Sequence, residues 1–269
     1  MLTKDDIRRY SRQLLLEEID EEGQANLQHA HAVVIGLGGL GTLASRFLVG
    51  AGLGSITLVD GDIVDLSNLQ RQVTYNETHL GDLKAKALSS ELHKVDPSIN
   101  INAKSMFADT RNLQKFIGDA TCVLDCTDSV TIRKEINAAC IAAKKPLFIA
   151  AASGFSWQAI NLHCNSSPST SQKPTPEAKQ ASSRENGNVC GCYNCLVSQL
   201  NLTENCQSQG VLGPVVGIAA CHQATQALLF LAKRHLATIQ WGRYIVGNAI
   251  NATVQSFHLP PSPDCKVCQ

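Results

Sequence analysis

His31-Ala32-Val33-Val34-Ile35-Gly36-Leu37-Gly38-Gly39-Leu40-Gly41 decides the fold. The apolar, β-branched run predicts a short buried strand, and the glycines after it predict a tight turn into a helix. In Gly36-x-Gly38-x-x-Gly41, with Gly39 in the same loop, the missing side chains let the backbone turn and approach phosphate oxygens. The following helix N-terminus adds free N–H groups and a positive dipole end. A helix over Leu40–Ala51 and a strand over Ser55–Asp60 complete a β-α-β unit whose strands run parallel. Asp60 closes that second strand, where a carboxylate accepts from ribose hydroxyls.

Working outward, the alternation continues. Helices are predicted at Lys84–Val95, Thr110–Ile117 and Ser129–Ala143, and strands at Ile99–Ala103, Thr121–Asp125 and Pro146–Ala151. Such alternation predicts an α/β, Rossmann-like, doubly wound and mostly parallel sheet. From Trp157 the pattern changes to antiparallel strands, at Trp157–His163, Gly242–Val246 and Ala252–His258. Residues 4–30 read as a polar helical segment with an apolar stripe at Leu14-Leu15-Leu16. The stretch 165–188 is rich in Ser, Pro, Thr, Lys and Glu, too polar to order itself, and is expected to be a mobile loop. A single unit over 1–269 is expected, divided into 1–30, a nucleotide-binding core over 31–155, and an extension over 156–269.

Composition narrows the function classes. Lys+Arg and Asp+Glu both total 23 in 269 residues, for a net charge of zero. That balance argues against general nucleic-acid or anionic-membrane binding. The residues from Met1 to Arg9 lack a secretory apolar region, so a cytoplasmic protein is expected. Val211–Ala232 is apolar enough to suggest a membrane span, but His222, Gln223 and Gln226 in its middle indicate a buried core helix.

Asp65-Leu66-Ser67-Asn68-Leu69-Gln70-Arg71-Gln72 follows the second strand and is unusually polar. Arg71 would act on developing negative charge at phosphates held by the glycine loop, with Asn68 and Gln72 positioning it. A hydride-transfer site needs no such cluster, although the glycine loop and Asp60 alone would suit an NAD-dependent oxidoreductase.

Eleven cysteines without a signal peptide argue against a disulfide framework. Cys192/Cys195 and Cys265/Cys268 form two Cys-x-x-Cys pairs, which predict one closed, structural zinc knuckle. Cys190 offers a competing ligand, but only Cys192 gives the two-residue spacing to Cys195. Cys122, Cys126 and Cys140 read as buried small hydrophobes, and Cys164 and Cys221 as structural.

Arg9-Tyr10-Ser11-Arg12-Gln13, the glycine loop, Asp60, Ser67–Gln72, Leu124-Asp125-Cys126-Thr127-Asp128 and the two cysteine pairs together resemble the ThiF/MoeB/HesA superfamily, bacterial relatives of ubiquitin-activating enzymes. Glu204-Asn205-Cys206 and Gly210–Gly217 look most like its ThiF branch, with the MoeB branch as the alternative. The resemblance implies adenylation, by ATP, of the C-terminal Gly-Gly carboxylate of a ubiquitin-like sulfur carrier. A thiocarboxylate for thiamine-thiazole synthesis would follow, or for molybdopterin synthesis in the alternative. It also implies a sulfur donor such as a cysteine desulfurase, and a homodimer. Asp60 would bind ribose, Asn68, Arg71 and Lys84 would hold or neutralise phosphates, and Asp128 would hold Mg²⁺. Arg12 would reach ATP in the other subunit, and Cys206 would link covalently to the carrier. Residues 156–269 would receive the carrier. Two departures from the family pattern stand out: Gly81-Asp82-Leu83-Lys84, with Lys86 close by, where Gly-x-Pro-Lys is usual, and Ser129 where Asn is usual. These keep open a third reading, a non-catalytic scaffold for ubiquitin-like partners.

Overall fold

The computed structural model describes residues 2–163, 190–202 and 210–268. The chain opens with α1 (Lys4–Arg9) and α2 (Asp20–His29). It continues through β1 (His31–Ile35), α3 (Gly39–Gly50), β2 (Ser55–Val59), α4 (Lys84–Val95), β3 (Asn100–Lys104), α5 (Leu113–Ile117), β4 (Cys122–Asp125), α6 (Val130–Ala142) and β5 (Leu147–Ser153). Then come β6 (Ser156–Leu162), α7 (Tyr193–Leu200), α8 (Gly213–Ala232), β7 (Arg243–Asn248) and β8 (Thr253–His258).

Among the described residues, the eight strands form one sheet in the order β3-β2-β1-β4-β5-β6-β7-β8. Pairing is parallel from β3 to β5 and antiparallel from β5 to β8. The predicted sheet and the predicted change to antiparallel strands are both present, with β6 starting at Ser156 rather than at the expected Trp157. Successive β1 side chains divide the interior: Ala32 and Val34 join one buried cluster with α2, α3, α4 and α8 residues. Val33 and Ile35 join the other, with residues of α5, α6 and α7. A strand covered on both faces is apolar throughout, and that is why His31–Ile35 reads as a continuous run.

β1 feeds a crossover to β2 on one side, while its other neighbour is β4. The strand order reverses there, and a crevice opens at the carboxyl ends. α8 carries no charged residue and is long and apolar enough to cross a membrane, yet it lies half-buried in the fold. Ala224, Ala227 and Leu231 pack into the main core, as a core helix requires.

Three expectations need correction. The predicted helix over 4–30 is interrupted by turns between Arg9 and Asp20. Its supposed apolar stripe faces outward, with Leu15 at 77% and Leu16 at 52% exposure. Tyr10 does the packing instead, buried beside Gly52 with its hydroxyl toward Asp96. The helix predicted at Thr110–Ile117 is reduced to Leu113–Ile117, because Asp109 and Asn112 exchange side-chain to backbone hydrogen bonds in a preceding turn. Cys221 is exposed on α8 and holds no core position. The stretch 165–188, Cys164 and Cys206 lie outside the described residues.

Candidate functional site

Glycine shapes the loop between β1 and α3 at two decisive positions. Gly36 has φ +87°, and a Cβ there would meet the Cys126 backbone at 2.8 Å. A Cβ on Gly41 would overlap the Gly36 carbonyl oxygen, so α3 can start close against the strand only without one. Asp60 faces this loop: Oδ2 accepts from the Leu37 N–H at 2.6 Å and Oδ1 from the Asp62 N–H at 2.8 Å.

A 3-10 turn over Leu66–Asn68, capped by Asp65, starts the polar segment. Asn68 Oδ1 accepts from Gln72 Nε2 at 2.7 Å and from Arg71 Nη2 at 3.3 Å, and Arg71 Nη1 donates to the Ser67 carbonyl at 3.2 Å. The amide of Asn68 is thus committed as acceptor toward its own segment. The segment also sits against the glycine loop: a Cβ on Gly39 would meet the Arg71 carbonyl oxygen at 2.8 Å and Val216 of α8 at 2.7 Å.

Lys84 opens α4 with a buried side chain whose Nζ lies 3.1 Å from Asp62 Oδ2. Tyr75 fixes that corner; its buried hydroxyl lies 3.0 Å from the Leu37 carbonyl oxygen and 3.2 Å from that of Lys84. Burial, and then the Asp60 charge, push the Tyr75 phenol up, so it stays a neutral donor. Lys86, by contrast, points to solvent.

These elements enclose one cavity of about 810 Å³. Gly36, Gly38, Gly39, Asp60, Asn68, Arg71, Gln72, Lys84 and Asp128 all line it. Asp128 is exposed at the carboxyl end of β4. Ser129 beside it caps α6, accepting from the Ile132 N–H at 3.4 Å. Gly41 does not line the cavity and serves packing. Arg12 is exposed between α1 and α2 and is not a lining residue of its own chain.

Sequence reading missed four contributors. Asp62 pairs Lys84; Phe107, 66% exposed, covers Gly61 and lines the cavity wall. Arg133 and Gln223 are buried polar residues at the end of β4. The signal for the last two was present: each interrupts a helical stripe of small or apolar buried residues, Arg133 with Ile136 and Cys140, and Gln223 with Ala219, Ala220 and Ala227. Beside Arg133, Asp125 is fully buried; burial pushes its carboxyl up, opposed by the Arg133 guanidinium.

A second cluster shares α7 with the cavity wall, where Tyr193 and Leu196 line the cavity and the cysteines do not. Cys192 and Cys195, at the start of α7, meet Cys265 and Cys268 from the C-terminal segment, and all four sulfurs lie within 4.8 Å of one another. The Cys192–Cys265 and Cys195–Cys268 distances are both 3.6 Å, and Cys192–Cys195 is 3.9 Å. A tetrahedral ion with metal–sulfur bonds of about 2.3 Å separates its ligands by about 3.8 Å, so the set fits zinc. Cys190 is outside the cluster, buried against Gly242.

Comparison with known proteins agrees with this architecture. The sulfur carrier protein ThiS adenylyltransferase of Escherichia coli (strain K12) is 39% identical over 228 residues, covering 84% of this chain and 82% of that protein. The molybdopterin-synthase adenylyltransferase of Salmonella typhimurium is 33% identical over 270 residues, covering 99% of this chain and 98% of that protein. The crystal structure of E. coli MccB with succinimide shares the fold, with a TM-score of 0.77 at 23% identity over 99% of this chain and 74% of that one. The ThiF family matches residues 10–267, and the chain belongs to that family.

Proposed function

We propose that the protein adenylates the C-terminal carboxylate of a small ubiquitin-like sulfur carrier ending in Gly-Gly, using ATP. One observation carries this reading. Glycine loop, ribose-type carboxylate, Asn68, Arg71, Lys84 and Asp128 converge on a single cavity at the reversal of strand order. An NAD site would leave Arg71, Lys84 and Asp128 without a task.

The chemistry needs no general base, because a carboxylate is already ionised at neutral pH. It attacks the α-phosphorus of ATP, the bond to the bridging oxygen breaks, and pyrophosphate departs with that electron pair. The chain's contribution is placement and charge stabilisation. Asp60 takes the ribose hydroxyls, the α3 N-terminus and Gly38–Gly39 N–H groups face the phosphates, and Arg71 and Lys84 oppose charge developing on them. Asp128 offers an exposed carboxylate in the cavity, a hard oxygen donor suited to Mg²⁺. When bound, Mg²⁺ neutralises phosphate charge. Arg12 would serve the neighbouring site of a homodimer. Zinc at the four cysteines would be structural and closed, and thiolates held in that state suit a reducing, cytoplasmic compartment.

Within this class we favour the thiamine-thiazole branch, supported by the 39% identity to the ThiS adenylyltransferase and by the residues around Cys206. The molybdopterin reading is supported by a relative that spans 99% of this chain. ATP–pyrophosphate exchange, run with each type of carrier, tests the proposal. Carrier-dependent exchange is expected, and nicotinamide binding without exchange would overturn it. Intact-mass analysis with a sulfur donor then separates the branches. Cys206→Ser should keep exchange yet lose a reducible carrier adduct, since a serine hydroxyl forms no disulfide. Full thiocarboxylate yield from that variant would favour the molybdopterin branch.

A further inference from the structure

The turn that carries Asp128 is held from both faces of the sheet. β4 pairs with β5 as far as Asp125 opposite Ile149, after which the chain leaves the sheet for residues 126–129. On one face Arg133 of α6 donates from Nε to the Thr127 carbonyl at 3.1 Å, and from Nη2 to the same carbonyl and to the Ala150 carbonyl at 3.1 Å. On the other, Gln223 of α8 donates to the Asp125 carbonyl at 3.0 Å and the Phe148 carbonyl at 2.8 Å, and accepts from the Cys126 thiol at 3.2 Å. Each side chain therefore bridges β4 to β5 where the strand ladder is ending.

The electrostatic side is unusual for a purely structural corner. Arg133 is 8% exposed and its Nε lies 3.9 Å from Asp125 Oδ1, an oxygen that also accepts from the Thr127 N–H and hydroxyl. Asp125 Oδ2 is buried and has no hydrogen-bond partner among the described residues. A buried ion pair left partly unsatisfied is a weak source of stability; apolar packing of similar volume commonly does as well. What the pair and Gln223 do supply is direction, because a planar guanidinium and a planar amide each fix two carbonyls at once.

We propose that Arg133 and Gln223 are positioning residues for Asp128: gripping the ends of β4 and β5 from opposite faces, they hold the 125–128 turn so that the Asp128 carboxylate meets its divalent cation at one fixed place. This rests on the reading of Asp128 as the cation's carboxylate. Neither residue needs to touch the cation, which distinguishes orientation from ligation.

Arg133→Lys keeps the charge but loses the fork, and Gln223→Met keeps the volume but loses both donors. The probe is Mn²⁺, with its affinity measured by electron paramagnetic resonance in the presence of ATP. ATP affinity in EDTA and the melting temperature are measured on the same samples. Both variants should weaken Mn²⁺ binding by about tenfold or more, the usual scale for residues that orient a ligand, while metal-free ATP affinity stays within about twofold. Mn²⁺ affinity unchanged in both variants would overturn the proposal, as would an equal loss of metal-free ATP affinity. If Arg133→Lys does not fold, the uncharged Gln223→Met decides. If neither folds, the two residues are fold determinants and the proposal fails. Asp128→Ala run alongside keeps the readings apart. If it leaves Mn²⁺ binding intact, the Asp128 assignment fails; if it abolishes binding while the other variants do not weaken it, only the positioning role fails.

Discussion

Lys84 Nζ donates to Asp62 Oδ2 at 3.1 Å from a side chain only 7% exposed, while Asp62 is 57% exposed. A buried ammonium needs a partner, and Asp62 is the partner that an entering phosphate would compete with. Asp62→Asn should therefore lower the KM for ATP by up to about threefold, the scale of a half-exposed pair. Lys84→Met should raise it at least about tenfold, the scale of a lost charged hydrogen bond. Exchange kinetics over a range of ATP concentrations check both, and a raised KM in Asp62→Asn would contradict the competition.

Arg71→Ala and Asp128→Ala should each reduce pyrophosphate exchange by about 10²-fold or more, the scale of removing one preorganised charge stabiliser, with far-ultraviolet circular dichroism unchanged. Arg71 lines the cavity of its own chain, whereas Arg12 does not. Mixing Arg12→Ala with Arg71→Ala subunits should therefore restore part of the activity. No recovery in mixed dimers would place Arg12 outside the site.

Gly39→Ala would press a methyl against the Arg71 carbonyl and Val216. Overpacking of this kind costs about 1–3 kcal/mol, read as a lower melting temperature, and it should raise the KM for ATP because the Ser67–Gln72 segment must shift. Gly217→Ala, inside α8 and with Leu43 at 3.9 Å as its nearest neighbour, is the control: it should leave the KM for ATP unchanged and raise the melting temperature slightly, as alanine favours a helix interior over glycine.

Purified, reduced protein should contain about one zinc per chain. Cys265→Ala or a strong chelator should lower the melting temperature while the exchange rate well below that temperature changes little, because none of the four cysteines lines the cavity. Metal analysis without zinc would remove this assignment.

Asp20 Oδ1, in the first turn of α2, accepts from the Glu22 and Gly23 N–H groups at 2.9 and 3.0 Å, as a capping side chain does, and Arg234 donates to Asp20 and Glu22 at 2.8 and 2.7 Å. The Gly23 N–H first, and then Arg234, hold the Asp20 carboxyl below its usual range. A carboxyl depressed by folding adds stability above its unfolded pKa of about 3.9, and that stability is lost as pH falls through the folded value. Asp20→Ala should cost about 1 kcal/mol at neutral pH and flatten the acid limb of the stability profile. Urea titrations from neutral pH down to acid measure both.

Much of the site was legible locally. A strand, a glycine turn and a helix are set by a few consecutive residues, so the nucleotide loop, Asp60 and the order of elements could be read from the chain. The two cysteine pairs were equally plain, because ligand spacing within each pair is a local property; only the approach of Cys265 and Cys268 to α7 showed that four sulfurs share one place. The N-terminal region was misread for a physical reason. Leu14-Leu15-Leu16 has helical composition, but Tyr10 packs into the core beside Gly52, Leu14 is half-buried, and Leu15 and Leu16 turn outward.

The α/β architecture, the glycine loop and the set of charged residues near it follow from local patterns in the chain, since backbone freedom and apolar periodicity act over a few residues. Which charges meet depends on packing between distant segments. Lys84 rather than Lys86 enters the cavity because the two, both in the first turn of α4, point to opposite faces of the helix, and only the Lys84 face packs inward. Ser67–Gln72 reaches the glycine loop because Gly39 and Gly213 leave room for its backbone. The Asp128 turn is fixed by Arg133 and Gln223, which arrive from opposite faces of the sheet. Contacts between residues so far apart in the chain depend on how helices pack on the sheet, and local residue patterns carry little of that information.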